Sequence, residues 1–350
     1  MKPMVLVTGA NGHIGSNLIK ELILSGYRIT AFIRENAFLK GIEGLDIKYR
    51  FGNVLNEESF VRAAEGCEVI FHTAAVYRIW AKDPKEIMAP AIEGAKNLLS
   101  AARRNNVARI VYTSSVAAVG ASPSTDVFRT EEDWNEDPTN VYVIAKTESE
   151  KLIHKLSEQH RISCVSVCPS IVLGPLNFKI TPSMEILKNW INGKGTLWTG
   201  IQNFVSVSDV AKTHVLACEK GESGKRYLAI GENIYIPEIG NILKEMVGIK
   251  PLYLPGFVLN YMGALFFETI SWLTGNPPFT TRSWVKEGVY RYLNVDSSKT
   301  RADLGIEPKG IRETFTEVIS WLLFRNQIKK KIAQRIFVKF PIDPEWVNYE

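Results

Sequence analysis

Cysteine is scarce in this chain. Cys67, Cys164, Cys168 and Cys218 are the four among 350 residues, and none has the companions or spacing of a metal site. Cys164 and Cys168 flank Val-Ser-Val, which alternates as a strand does, so buried free thiols are expected rather than a disulfide framework. His13 and His72 stand without carboxylate or thiolate companions, and no metal is assigned. An excess of one charge is also missing: 42 Lys and Arg against 37 Asp and Glu leave +5, with the signs interspersed until the last 26 residues. A nucleic-acid partner, which draws basic residues into a patch or stripe, is therefore not expected. The opening "MKPMVLVTG" lacks an extended apolar run ending in a cleavage site, so the expected location is cytoplasmic. What is present, 45% hydrophobic and 23% charged residues, fits a globular protein long enough for two coupled lobes.

The first 170 residues alternate strand and helix patterns, which builds an α/β fold with a parallel sheet covered on both faces. Short runs rich in Val, Ile and aromatics predict strands at 4–8, 28–33, 47–51, 69–72, 108–114 and 162–168. Ile14, Leu18 and Leu22 share one face of a helix after the first strand. Beyond "PSIVLGP" the alternation becomes irregular, and 205–219 reads as strand and helix again, with Ser208 or Asp209 as N-cap. The expected organisation is a nucleotide-binding lobe at 1–175 and about 201–230. A smaller, discontinuous lobe takes about 176–200 and 231–325, and a basic tail follows at 326–350.

"LVTGANGHIG" places Gly9, Gly12 and Gly15 between the first strand and its helix. A turn of this kind lets backbone approach a diphosphate, whose charge is favoured by the free N–H groups at a helix N-terminus. The glycines alone are also compatible with a tight turn and close helix packing; the strand before and amphipathic helix after favour the nucleotide. Gly9, Asn11, Gly12, His13, Ile14 and Gly15 are assigned to it. Folds that select NAD end the second strand in an acid roughly 20 residues on, whereas here "RITAFIR" ends in Ile33 and Arg34, with Lys40 following. A guanidinium suits a 2′-phosphate, so NADP is expected; a solvated Arg34 in a protein that accepts either cofactor, NADP or NAD, is the other reading.

"VYVIAK" sets Tyr142 and Lys146 four apart, on one helix face. A neighbouring ammonium lowers a phenol's pKa and brings it towards useful acid–base strength. Upstream, "VYTSSVAAVG" ends a parallel strand in Ser114 and Ser115, at the edge where open α/β sheets place ligands.

Glycine turn, strand-end serine and Tyr-x-x-x-Lys, in this order, resemble the extended branch of the short-chain dehydrogenase/reductase superfamily (NAD-dependent epimerases and dehydratases) over roughly residues 4–325. The resemblance implies a Rossmann-type, doubly wound parallel sheet with a smaller, discontinuous substrate-binding lobe. It also implies a mechanism. Tyr142 exchanges a proton with the substrate oxygen while hydride passes to or from the nicotinamide, Lys146 holds the ribose, and Ser115, rather than Ser114, binds the reacting oxygen. By the same resemblance Asn53 stands where the family has an Asp near adenine, followed by Val54, and Thr73, Ala74 and Ala75 pass the nucleotide, as do Pro169 and Ile171. Ala91 in "PAIEG" replaces the Asn of a proton relay and is similar to dihydroflavonol and cinnamoyl-CoA reductases. "HTAAVYRIWAKDP" and "GPLNFKITPS" look closer to bacterial dihydroflavonol-reductase-like or hopanoid-associated sugar epimerase proteins.

Val76, Tyr77, Ile79 and Trp80 follow a strand end and read either as the wall of an apolar substrate pocket, with Ser115 at its reacting end, or as lobe contacts. The run 257–274 contains Asn260 and Glu268 and reads as a helix of the smaller lobe. From Arg325 to Lys339 there are six cations and no acid, with Ile328, Ile332 and Ile336 four apart. That stripe either packs on its own lobe or makes a weak peripheral membrane contact. The expected function is NADP-dependent interconversion of a carbonyl and an alcohol on a fairly apolar small molecule, by a monomer or homodimer. An NAD(P)-dependent sugar-nucleotide epimerase or dehydratase is the alternative and would use Lys179, Arg282 and Arg291 on the diphosphate. A non-catalytic NADP sensor is the third reading, and the intact Tyr142–Lys146 pair counts against it.

Overall fold

The computed structural model describes residues 2–77 and 80–349, so Ile79 lies outside the described residues. The strands are β1 (Met4–Thr8), β2 (Arg28–Ile33), β3 (Lys48–Phe51), β4 (Val69–His72), β5 (Arg109–Thr113), β6 (Ser163–Pro169), β7 (Ile171–Leu173), β8 (Thr196–Leu197), β9 (Ile201–Ser206), β10 (Arg226–Ala229), β11 (Glu232–Tyr235) and β12 (Leu252–Tyr253). The helices are α1 (His13–Leu24), α2 (Glu57–Ala64), α3 (Lys85–Arg104), α4 (Val141–His160), α5 (Pro182–Ile191), α6 (Val207–Lys220), α7 (Ile236–Val247), α8 (Phe257–Thr274), α9 (Arg282–Gly288), α10 (Ser298–Leu304), α11 (Ile311–Phe324) and α12 (Lys330–Ile336).

Seven strands form one parallel sheet in the order β10-β6-β5-β4-β1-β2-β3. The chain runs outward from β1 in one direction and, after crossing back to β4, in the other, which gives the Rossmann-type doubly wound sheet expected from the sequence. Successive β1 side chains point to opposite faces, so a strand covered on both sides must be apolar throughout. Val5 and Val7 pack with Leu18, Ile19 and Leu22 of α1 and Val210 of α6, while Leu6 packs on the other face with Phe60, Leu98 and Ile153. Burying each such Leu, Ile or Phe is worth about 1.5–3 kcal/mol. All four cysteines are buried free thiols.

After β6 the chain leaves the large sheet. β7, β9 and β11 make a separate three-stranded sheet, and within the segment 201–230 β10 joins the large sheet while Val205 of β9 packs with α6 in its core. A second core gathers Met184, Leu187 and Trp190 of α5 with Ile239 and Leu243 of α7 and Phe315 and Trp321 of α11. Ile328, Ile332 and Ile336 of the basic tail are buried in this same core, so the apolar stripe of the tail faces its own lobe rather than a bilayer. The N-cap of α6 is Ser206, not Ser208 or Asp209: its side chain accepts from Ser208 N, while the Asp209 carboxylate accepts Lys309 N at 2.8 Å. The run 257–274 is helix α8, and among the described residues no helix is long and apolar enough to cross a membrane.

Candidate active site

The sheet order reverses direction between β1 and β4, and the carboxyl ends of these neighbours carry the glycine turn and the Thr73–Ala75 segment. Gly9 turns the chain with φ +65, and Gly12 N donates to Gly9 O at 2.9 Å. A Cβ on Gly9 would meet Ala74 Cα at 2.8 Å, and one on Gly15 would meet Gly9 O at 2.2 Å. Those two glycines are therefore required by the chain's own close approach, whereas Gly12 would meet nothing nearer than Gly9 O at 3.1 Å and is the one that leaves room for a ligand. This division of labour, with Gly12 capping α1 through no side chain of its own, fits a dinucleotide diphosphate at the helix N-terminus. Gly15→Ala must displace the turn at a cost of about 1–3 kcal/mol, so nucleotide affinity is expected to fall about tenfold or more in a fluorescence titration.

Around this turn, Thr73 Oγ1 donates to Thr8 O at 2.7 Å and Ala74 N to Thr8 Oγ1 at 3.3 Å, which fixes the loop against β1. The His13 ring nitrogen meets Gly174 O at 3.2 Å; burial pushes its pKa down to about 4, so the imidazole is neutral and ties α1 to the segment after β7. Ile14 lies half-buried beside it. Asn11 Nδ2 donates to Phe38 O at 3.1 Å and draws the loop after β2 across the turn, with Arg34 exposed and Lys40 half-buried in that loop. Asn53 is exposed after β3 and accepts Leu55 N on Oδ1 at 3.0 Å, and Val54 O accepts Asn97 Nδ2 at 2.9 Å. Pro169 closes β6 and Ile171 opens β7, both beside this edge of the sheet.

Ser114 and Ser115 diverge at the end of β5. Ser114 is buried and its hydroxyl donates to Glu150 Oε2 at 2.6 Å. Ser115 is half-buried, caps a short 3-10 turn by accepting Ala117 N at 3.1 Å, and lies near enough to the Tyr142 hydroxyl to lower its pKa. Tyr142 is placed by Asn140, the N-cap of α4, whose Oδ1 accepts Tyr142 N at 2.9 Å. The Tyr77 ring packs 5.3 Å from the Tyr142 ring, and its hydroxyl bonds Ser183 Oγ at 2.8 Å at the start of α5. Tyr77 thus joins the two cores over the tyrosine, with Val76 and Trp80 half-buried to either side in sequence.

The expected effect of Lys146 on Tyr142 does not appear. Burial, then Tyr77, raise the phenol; Ser115 lowers it, Tyr112 raises it further, and the net direction is upward. The Lys146 ammonium instead donates to Thr113 O at 2.9 Å. Thr113 is held in turn: His214 Nδ1 donates to Val210 O at 2.7 Å, leaving Nε2 to accept the Thr113 hydroxyl at 2.8 Å. Burial lowers Lys146 to about 8, an effect that Glu150 opposes. A tyrosine with a raised pKa stays protonated at neutral pH.

Sequence reasoning missed the support beneath this pair. Glu150, one helical turn beyond Lys146, is fully buried and takes Arg226 Nε and Nη2 at 3.0 and 3.1 Å, together with the Ser114 hydroxyl. The spacing Tyr-x-x-x-Lys-x-x-x-Glu was a visible signal for Glu150; nothing local marked Arg226, which arrives from β10.

Comparison with known proteins gives a consistent result. The model of a family described as the NAD dependent epimerase/dehydratase family matches residues 5–231. Sterol demethylase protein B of Methylococcus capsulatus is 31% identical over 340 residues, covering 92% of this chain and 99% of that protein. A putative dihydroflavonol 4-reductase of Synechocystis is 29% identical, covering 94% and 97%. The crystal structure of gox2253 superposes with a TM-score of 0.82 at 29% identity, covering 94% of this chain and 100% of that one.

Proposed function

Because this chain belongs to the NAD-dependent epimerase/dehydratase family, and is an NAD(P)-dependent oxidoreductase of that kind, we propose that it is an NADP-dependent reductase of a carbonyl on a fairly apolar small molecule. The observation that carries this reading is the meeting of Ser115, Tyr142 and Lys146 at the carboxyl edge of the sheet, with the Tyr77 ring packed over that of Tyr142. When bound, the nucleotide supplies hydride from its nicotinamide. Ser115 and Tyr142 grip the substrate oxygen from two donors, which polarises the carbonyl and fixes its orientation. Tyr142 gives its proton to that oxygen. Lys146, cationic below about 8 and anchored on Thr113 O one helical turn from Tyr142, would hold the nucleotide ribose. Tyr77, Val76 and Trp80 line the approach and exclude water. Relatives named for sterols and dihydroflavonols support an apolar ring system as the substrate.

The alternative, turnover of a sugar nucleotide, needs free cations in the second lobe. Arg282 is held by Glu268 at 2.6 Å, and Arg291 lies 3.8 Å from the Glu287 carboxylate, an acid that would repel a diphosphate there. Arg34, exposed at the end of β2 where an acid would select NAD, supports NADP. Arg34→Ala is expected to weaken NADPH binding about tenfold to a hundredfold, the worth of one charge-assisted contact, and to leave NADH unchanged. Paired titrations with the two nucleotides check this; equal losses for both would remove the assigned preference. Turnover of NADPH against a panel of ketones, aldehydes and sugar nucleotides tests the reading as a whole.

A further inference from the structure

Helix α8 carries its apolar surface outward. Its inner face holds the small Ala264 and Ser271, both buried, together with Asn260, whose Nδ2 donates to Leu254 O and Gly256 O at 3.0 and 2.8 Å. The outer face presents Leu259, Met262, Phe266, Ile270 and Leu273, spaced three and four apart in one stripe, and Trp272 is 83% exposed near its C-terminal end. Thr269, the polar side chain within that stripe, turns its hydroxyl back to Leu265 O at 2.9 Å. A continuous apolar face of this size marks a contact surface rather than ordinary exposure.

We infer that α8 lies in the headgroup–acyl boundary of a lipid bilayer bearing anionic headgroups and docks the enzyme there. An interface between copies of this chain would carry hydrogen-bonding groups among its apolar contacts, about one per 100–200 Å², whereas the polar group of this stripe, the Thr269 hydroxyl, is turned back to its own helix. The charges around it complement a lipid surface. Between Pro251 and Arg291 the acids are Glu268, spent on Arg282 Nε at 2.6 Å, and Glu287, which accepts Thr139 N and Oγ1 at 2.7 Å. Lys286 is exposed on α9, the helix packed against α8, and pairs with no acid among the described residues. At 18 residues α8 is about 27 Å long, and since it is not apolar enough to span, it lies flat. The surface is wired to the site: Ser283 and Glu287 of α9 bond Asn140, the cap that positions Tyr142. The consequence for the substrate, that it arrives from the membrane, rests on the apolar-substrate reading above.

Flotation of the full-length protein with vesicles tests the inference. The wild type is expected to float with phosphatidylcholine–phosphatidylglycerol vesicles and less with phosphatidylcholine alone, whereas Leu259→Ser/Phe266→Ser/Leu273→Ser binds about tenfold less or weaker. Those side chains are solvent-exposed, so the variant keeps the fold and its turnover of a water-soluble carbonyl. Wild type that stays unbound with both vesicle types, a variant that floats equally, or a wild-type dimer that the triple variant dissolves without any lipid binding would each overturn the docking surface. Flotation without NADPH-dependent turnover would instead count against the proposed reaction and leave the surface standing.

Discussion

A Tyr142→Phe enzyme is expected to lose about 10²–10⁴-fold in turnover, the worth of a positioned acid, with NADPH affinity nearly unchanged. The loss is chemical rather than structural. The ring keeps its contact with Tyr77 at 5.3 Å, the α4 cap still holds residue 142 through its backbone N–H, and Ser115 keeps Ala117 N as a partner. Removing one partly exchanged hydrogen bond changes stability by only about 1 kcal/mol. Stopped-flow reduction and nucleotide titration on the same preparation separate the two effects; retained turnover would remove Tyr142 from the acid role. In the proposed mechanism Lys146 acts as a cation, so the rate of reduction should hold at lower pH and decline as pH rises through about 8.

Glu150→Gln is expected to be the most destabilising change near the site. The carboxylate is fully buried against an Arg226 side chain only 6% exposed, in a two-bond pairing. Removing one partner of such a pair leaves the other charge uncompensated in the interior, at a cost of about 3–5 kcal/mol, read as a shift in the denaturation midpoint. A merely structural role would end there. Glu150 also opposes the burial that lowers Lys146, so its neutralisation should drop the lysine further and move the alkaline decline in rate to lower pH. An unchanged pH profile in the surviving folded enzyme would reject the positioning role.

Much of the large sheet was legible because its strands are short, apolar on both faces and punctuated by turns: β1, β2 and β4 fall on the residues the pattern marks, and β3, β5 and β6 differ by one residue at either end. The helix after β9 was displaced by two residues, since Ser206, Ser208 and Asp209 all have capping chemistry and only tertiary contacts decide among them; Asp209 is drawn to Lys309, a hundred positions away. The same limit applies to the site. Spacing along one helix relates Tyr142 to Lys146, but not the backbone carbonyl of Thr113 that takes the ammonium, nor Arg226, which β10 delivers from 76 positions beyond Glu150. The tail read two ways for a physical reason, because an isoleucine stripe has the same period whether it meets lipid or a lobe. The glycines were read as ligand space as a group, whereas Gly9 and Gly15 serve the backbone and Gly12 alone faces outward.

Transfer of label from NADPH deuterated at the nicotinamide C4 tests the central claim most directly. With an apolar ketone or aldehyde, the account predicts deuterium at the new alcohol carbon, one oxidised nucleotide released per product, and neither event in Tyr142→Phe. Label that stays on tightly held nucleotide while a sugar nucleotide changes configuration, with no net oxidation, would contradict it.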